Sequence, residues 1–459
     1  MFATRECSPV VINRVFDMEA GAGKGVFITT FGCQMNEYDS KRMEEALYPE
    51  YRLVASPEDA DIILINTCSI REKAEHKVYS LVGRYRALKH KRPELIIGVG
   101  GCVAQQEGER LIRRLPFLDL VFGPQGLYRL RDAIDEIEQG RGPVVLTDME
   151  DAFEIPPPSR AMPTPSAFRA YVTIMQGCDN FCTYCVVPYV RGREVSRPKG
   201  DILKEIEALV ASGVKDITLL GQNVNSYGKK QGLDTTFAGL LLEVAGMPGL
   251  ERLRFTTSHP KDFTDDVIEA MATGPPVCDH IHLPVQSGSN RMLKRMNRKY
   301  TREHYLHIIH RIKDRLPDIS ITTDVIVGFP GETKQDFDDT ISLLKEVQFD
   351  QIFSFKYSPR PFTAAAGFDD QIDEETKQER LSAVIELQKE IGLNRLSRFQ
   401  GRVVEVLVES VNPNTPGELI GRTTGNHVVN FEGPEELVGK KTELLVERAC
   451  YHSLRGMLR

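Results

Sequence analysis

Apolar runs too short to be helices alternate, through most of the chain, with longer stretches in which apolar residues recur at steps of three and four. The first kind reads as buried strand and the second as amphipathic helix. In the N-terminal part this predicts strands at 26–30, 62–66, 95–99 and 118–122, with helices at 35–47, 71–90 and 105–115. Strands separated by helices cannot be hairpins, so they pair in parallel with the helices as crossovers. The alternation resumes with strands at 170–175, 216–220, 252–256, 280–284, 320–327 and 351–356 and helices at 199–212, 235–245, 264–273, 302–315 and 333–347. These βα units predict a partial (β/α)6 barrel, whose site lies at the carboxyl ends of its strands.

Residues 150–168 hold Pro156, Pro157, Pro158, Pro163 and Pro165 and little else apolar, which predicts a semi-rigid, extended linker. Residues 374–396 predict a long packing helix with a stripe of Leu381, Val384, Ile385, Leu387, Gln388 and Ile391. The period then changes to two. Short strands at 403–408, 419–422, 428–431, 442–447 and 453–458, broken by Asn412-Pro413-Asn414, Gly433-Pro434 and Gly439, predict a small antiparallel β-barrel. That shape often holds single-stranded RNA, but its charges nearly cancel, so a plain packing module stays open. The expected division is a parallel α/β domain at 24–150, a linker at 151–167, a barrel domain at 168–396 and the small β-barrel at 397–459.

A chain of 459 residues buries a core easily, and its net charge of −7 gives no global attraction to nucleic acid. Local patches must hold any such partner. Residues 84–92 carry Arg84, Arg86, Lys89, Lys91 and Arg92 around Tyr85, and residues 291–302 carry Arg291, Lys294, Arg295, Arg298, Lys299 and Arg302 with Tyr300. Each run is a candidate phosphate contact or a solvated helix face. Residues 1–16 lack a signal-peptide pattern, and the longest weakly polar stretch, 95–105, is about half of a membrane span. Nine scattered cysteines point to a reducing, cytoplasmic setting and to metal or redox use. Gly21-Ala22-Gly23-Lys24-Gly25 is not a phosphate loop, because residue 18 is Met, residue 25 is Gly, and a strand follows; it reads as a flexible turn.

The candidate chemistry lies in the cysteines. Gly177-Cys178-Asp179-Asn180-Phe181-Cys182-Thr183-Tyr184-Cys185 places three thiolates on one short segment, one fewer than saturate a [4Fe–4S] cube. The iron left over is an open coordination site. Zinc is the alternative, but residues 177–197 contain neither a fourth cysteine nor a histidine. Cys33, Cys68 and Cys102 each follow one of the first three predicted strands. Loops beyond the carboxyl ends of neighbouring parallel strands lie together, so these thiols converge and favour a second cluster over three unrelated buried cysteines. Polar residues ring the predicted barrel strand ends, Gln222, Asn223, Asn225, Ser258, His259, Gln286 and Ser287, and Asp324 inside the fifth strand and the turn from Gly328 after it continue the ring. Thr333 and Asp336 read as a capping box.

Taken together the motifs resemble the radical S-adenosylmethionine (SAM) methylthiotransferases over almost the whole chain. Thr30-Phe31-Gly32-Cys33-Gln34-Met35-Asn36, Asn66-Thr67-Cys68-Ser69-Ile70-Arg71-Glu72-Lys73-Ala74, Gly101-Cys102-Val103-Ala104-Gln105 and Leu220-Gly221-Gln222-Asn223-Val224-Asn225-Ser226-Tyr227 are similar to the branch that modifies isopentenyladenosine in tRNA. The resemblance implies that the six cysteines are catalytic, with Cys178, Cys182 and Cys185 holding a SAM-binding [4Fe–4S] cluster and Cys33, Cys68 and Cys102 an auxiliary one. Gln222, Asn223, Ser258, Gln286, Asp324 and Gly328 are the expected SAM contacts, and Arg71, Glu72 and Arg360 the expected substrate contacts. The implied reaction replaces hydrogen at carbon 2 of the adenine by a methylthio group, through a 5′-deoxyadenosyl radical. The implied partners are the anticodon stem-loop of tRNA, a reductant such as flavodoxin or ferredoxin, and sulfur- or cluster-delivery proteins, with the enzyme itself a monomer and the 397–459 module a TRAM-like barrel. Three alternatives stay open: the same chemistry on threonylcarbamoyl-adenosine or a ribosomal-protein aspartate, a radical enzyme without sulfur insertion, and a cluster-bearing RNA-binding regulator. One departure stands out: Phe362 follows Tyr357-Ser358-Pro359-Arg360-Pro361 where the family usually has Gly. Cys7, Cys278 and Cys450 have no assigned role.

Overall fold

In the computed structural model, which describes residues 23–69, 72–150, 153–158, 168–230 and 232–459 with backbone alone over 72–78, the predicted N-terminal strands pair in parallel. They are β1 (Lys24–Thr30), β2 (Tyr51–Leu53), β3 (Ile62–Thr67), β4 (Ile96–Gly101), β5 (Leu120–Phe122) and β6 (Val144–Leu146), in the order β2-β1-β3-β4-β5-β6. Alternate residues of the central strands enter different cores. Ile63, Ile65, Ile97, Val99 and Val121 pack on one face, and Ile62, Leu64, Ile96, Leu120 and Phe122 on the other. Burial on both faces is why these strands read as unbroken apolar runs. The short edge strands β2 and β6 escaped prediction. The expected helix at 105–115 is two, Cys102–Glu107 and Glu109–Arg114, divided at Gly108 with φ +53°. Lys24 and Gly25 are paired strand residues opposite Tyr51 and Arg52, which corrects the expected turn.

The chain divides into two compact units. The described residues within Met1–Pro165, Tyr171–Asp179 and Cys185–Glu205 form the first, and those within Ser166–Ala170, Asn180–Tyr184 and Ile206–Arg459 form the second. β7 (Arg169–Thr173) begins in the second and ends in the first. The first also holds the two-stranded ribbon of β8 (Met175–Gln176) and β9 (Val195–Ser196).

In the second unit β10 (Asp216–Leu220) and β11 (Arg252–Phe255) pair in parallel, as do β12 (His280–His282), β13 (Ser320–Val327) and β14 (Gln351–Lys356). Helices Lys199–Ala211, Phe237–Ala245, Asp265–Met271, Arg302–Arg315 and Lys334–Val347 alternate with the strands, as the barrel prediction requires. Thr333 and Asp336 form the predicted capping box. On the helix Glu374–Ser397 the buried stripe is narrower than expected: Val384 and Ile391 are covered and Ile385 is 40% exposed.

β15 (Val403–Val411), β16 (Glu418–Arg422), β17 (Val428–Glu432), β18 (Lys441–Ala449) and β19 (Leu454–Leu458) close into a barrel in the order β15-β16-β17-β19-β18. It packs on the strand bottoms of its own unit. Arg254 donates to the carbonyls of Thr423 and Thr424, and Thr424 donates to Asp279. At this junction His427 packs on Phe399 and faces Asp350 at 4.0 Å. Burial, with Arg398, Arg395 and Arg422 nearby and Asp350 opposing only in part, pushes His427 down to about 4. A base whose folded value is depressed stabilises the fold fully above its unfolded value, near 6.5, and loses that contribution as pH falls towards 4. The expected result is a loss of at most about 3 kcal/mol over that window. Thermal melts at the two ends of the window check it: H427Q should be the less pH-sensitive protein.

Candidate active site

The carboxyl ends of β1, β3 and β4 carry Cys33, Cys68 and Cys102. Cys33 caps the helix Gln34–Leu47, Cys68 directly follows β3, and Cys102 opens the helix Cys102–Glu107. Asn36 ties the first two loops together, its amide donating to the carbonyls of Phe31 (2.8 Å) and Thr67 (2.9 Å). Asn66 donates in return to the Asn36 carbonyl and to Ser40 Oγ. Gly32 must be glycine: its φ is +125°, and a Cβ there would lie 2.4 Å from Cys68 Cβ and 3.1 Å from its sulfur.

The thiols gather around a buried cation. Arg191, 3% exposed, donates to Asp39 at 2.7 Å and to Asn36 Oδ1 at 3.0 Å. Although burial works against its charge, Asp39, Cys102 and Cys33 hold it above its usual range. A hydrogen bond with Cys68, opposed by burial and aided by Arg191, lowers the Cys33 thiol to about 6, while burial raises that of Cys102. Cys102 packs with Val186 and Val190, so water is largely excluded from that thiol. Two buried thiols and a half-buried one, the last already acidic, beside an arginine make a donor set that suits an anionic iron–sulfur cube. A cube takes one thiolate per iron, so its ligands stand wider apart than those of a single ion. Among the described residues no three His, Cys, Asp or Glu close around one metal ion.

The second set lies on the segment that follows β8. Cys178 and Cys182 are buried and Cys185 is half-buried. Gly177 (φ +79°) turns the chain so tightly that a Cβ would meet the Arg193 carbonyl oxygen at 1.9 Å. The Cys178 N–H donates to the Gly192 carbonyl, and Arg193 pairs with Asp179 at 2.8 Å. In the second unit, Arg298 donates to Cys182 Sγ at 3.4 Å and to Tyr184 at 3.3 Å. Burial disfavours its charge, yet Tyr184, Tyr300 and Cys182 keep it protonated.

The strand-end residues also cluster in the second unit. Asn223 Oδ1, both side-chain polar atoms of Asn225, Ser258 Oγ, His259 Nε2 and Gln286 Oε1 are buried with no hydrogen-bond partner among the described residues. Buried polar atoms are rarely left so, and their convergence at the carboxyl ends of β10, β11 and β12 fits a polar ligand such as the amino-acid moiety and ribose of SAM. Gln286 sits at φ +70°, its N–H donating to the Asp324 carbonyl. The Asn223 amide is engaged by Asp262 at 2.7 Å, and Asp324 faces His282 at 3.4 Å. Gln222 is half-buried, and Gly328 (φ +67°) lies against the Lys377 stem. Arg360 is half-buried. Arg71 and Cys7 lie outside the described residues, as does the Glu72 side chain.

The fold takes up part of the first basic run, leaving Arg84, Arg86 and Lys91 exposed, and most of the second. Lys89 pairs with Asp119, and Arg92 with Asp61, while Tyr85 is core. In the second run Arg291, Arg295 and Arg302 pair with Asp336, Asp370 and Glu346, and Arg298 and Tyr300 are buried. Of the six bases at 291–302, offered as phosphate contacts or a solvated helix face, four thus have an acidic or buried partner, and Lys294 and Lys299 are exposed. The sequence does not single out Arg191 and marks Arg298 only as one of a basic run, since an arginine's burial beside a thiol depends on residues distant along the chain.

These features define a radical SAM enzyme, and family models agree: the radical SAM superfamily matches residues 172–344, uncharacterized protein family UPF0004 residues 25–123, and the TRAM domain residues 397–458. The tRNA-2-methylthio-N(6)-dimethylallyladenosine synthase of Geobacter metallireducens is 49% identical over 95% of this chain and 98% of its own length. That of Geotalea uraniireducens is 48% identical over 95% and 99%. The chain belongs to the family of tRNA-2-methylthio-N(6)-dimethylallyladenosine synthases. Among solved structures the radical SAM methyltransferase TsrM of Kitasatospora setae shares the fold, with a TM-score of 0.58 at 14% identity over 75% of each chain. Among the described residues no helix is long and apolar enough to cross a membrane.

Proposed function

We propose that this chain converts isopentenyladenosine at position 37 of tRNA, beside the anticodon, to its 2-methylthio derivative. The observation that carries the reading is the three-thiol pocket of half-buried Cys33 and buried Cys68 and Cys102 in a chain that also bears the 178–185 motif. A radical generator alone leaves that pocket without a use. When bound, one cluster with SAM supplies one-electron chemistry at an aromatic C–H bond, and the other supplies methylthio sulfur.

The protein's part is placement and charge. Cys178, Cys182 and Cys185 hold the SAM-binding cluster, with Arg298 offsetting charge at Cys182. Asn223, Asn225, Ser258 and Gln286 offer SAM their unsatisfied polar atoms. Cys33, Cys68 and Cys102 hold the auxiliary cluster, with Arg191 as counter-charge. Arg71, Glu72 and Arg360 grip the substrate, and the C-terminal barrel holds the RNA. A flavodoxin or ferredoxin supplies electrons, delivery proteins renew the sulfur, and the enzyme acts as a cytoplasmic monomer.

Incubation of the cluster-loaded protein with SAM, dithionite and tRNA tests the reading by nucleoside analysis. The expected product is 2-methylthio-isopentenyladenosine, formed on isopentenylated tRNA and absent from tRNA with plain adenosine at that position. Methylthiolation of threonylcarbamoyl-adenosine instead would transfer the protein to another branch.

A further inference from the structure

Phe362 combines two features that a folded chain ordinarily avoids. Its φ is +68°, in the left-handed region that disfavours a bulky side chain, and the residue is 58% exposed. Strain of this kind gathers at functional sites and points to a use beyond packing. The surrounding loop is well held. The Arg360 carbonyl accepts from Thr363 N–H (3.3 Å) and Oγ1 (2.7 Å), and the Gln371 amide donates to the carbonyls of Ala365 (3.1 Å) and Phe368 (2.8 Å). Ala365, fully buried, donates its N–H at 2.8 Å to the carbonyl of Thr183, inside the 178–185 motif. Behind the loop Tyr357 packs edge-on against Phe329. The ring is thus presented on a rigid mount, after the last barrel strand β14 and one hydrogen bond from the candidate cluster segment. Pro359 and Pro361 are exposed beside it, with half-buried Arg360 between them.

An exposed aromatic ring next to an arginine, at the strand ends that carry the site, has the makings of a single-strand RNA contact: the ring stacks on a base and the guanidinium meets phosphate. We propose that Phe362 stacks on an unpaired base of the anticodon loop that flanks the adenosine to be modified. The inference rests on the proposed function and assigns a positioning residue to it. The stacked base fixes the loop so that the target adenosine enters the barrel mouth.

Full-length, cluster-loaded protein and an isopentenylated anticodon stem-loop carrying 2-aminopurine beside the modified position provide the test. F362A is expected to bind this RNA about tenfold more weakly and to lose the 2-aminopurine quenching, with F362Y and F362W retaining both. F362G should lose affinity likewise while melting no lower than the native protein, because glycine takes a φ of +68° freely. That opposite behaviour of affinity and melting temperature is what a packing role would not produce. Native-like RNA affinity and quenching in F362A overturns the proposal. So does a defect seen only when a protein reductant replaces dithionite, which makes the ring a protein-docking contact, or a melting temperature that falls in F362A and F362G alike. If the native protein neither binds nor methylthiolates the RNA, the functional reading fails instead, a result separate from any effect of residue 362.

Discussion

Replacing Cys33, Cys68 and Cys102 together by alanine should leave a protein that still converts SAM to 5′-deoxyadenosine under reduction but makes no methylthio product. The iron content of the reconstituted protein should fall from about eight atoms per chain to about four. The separation follows from where the thiols lie: these three end strands of the N-terminal sheet, whereas Cys178, Cys182 and Cys185 occupy one segment after β8. Each replacement removes only a small side chain, buried at Cys68 and Cys102 and half-buried at Cys33, at a cost of about 1 kcal/mol, so the fold should survive. Alanine at Cys178, Cys182 and Cys185 should by contrast abolish both 5′-deoxyadenosine and product. Methylthio product from the first variant would end the two-cluster reading, and so would an unchanged iron content.

Chain-local patterns made most of this arrangement legible. Three cysteines, each just past an apolar run, sufficed to predict a pocket, because parallel strands bring their carboxyl ends together whatever the intervening helices contain. The 178–185 motif needs no tertiary information at all. What escaped was decided by distant partners. Arg291 and Arg302 look like a basic stripe until Asp336 and Glu346 arrive from another helix, and Arg298 is charged and yet buried because Cys182 and Tyr184 meet it. Glycine at position 32 is explained only by the approach of Cys68 from β3. Phe362 was visible as a departure, but its positive φ and exposed ring belong to the folded loop.

Arg191 shows how far such a distant partner reaches, and R191M should produce the largest loss of stability. Its guanidinium is the buried counter-charge of Asp39, and methionine leaves that carboxylate desolvated and unpaired, at a cost of about 3–5 kcal/mol. For a unit of this size the melting temperature should drop by about 10 °C. Stability alone does not distinguish a packing role from service to the thiols, so the double variant R191M/D39N decides. Asparagine removes the stranded charge, which should restore at least about half of the lost stability. It does not restore a cation beside Cys33 and Cys102, whose thiolates would then hold the proposed auxiliary cluster without compensation. The double variant should therefore melt nearer to the native protein yet retain little iron at the auxiliary site and form little product, while its 5′-deoxyadenosine output stays intact. Recovery of stability and of auxiliary iron together would reduce Arg191 to a structural pair for Asp39.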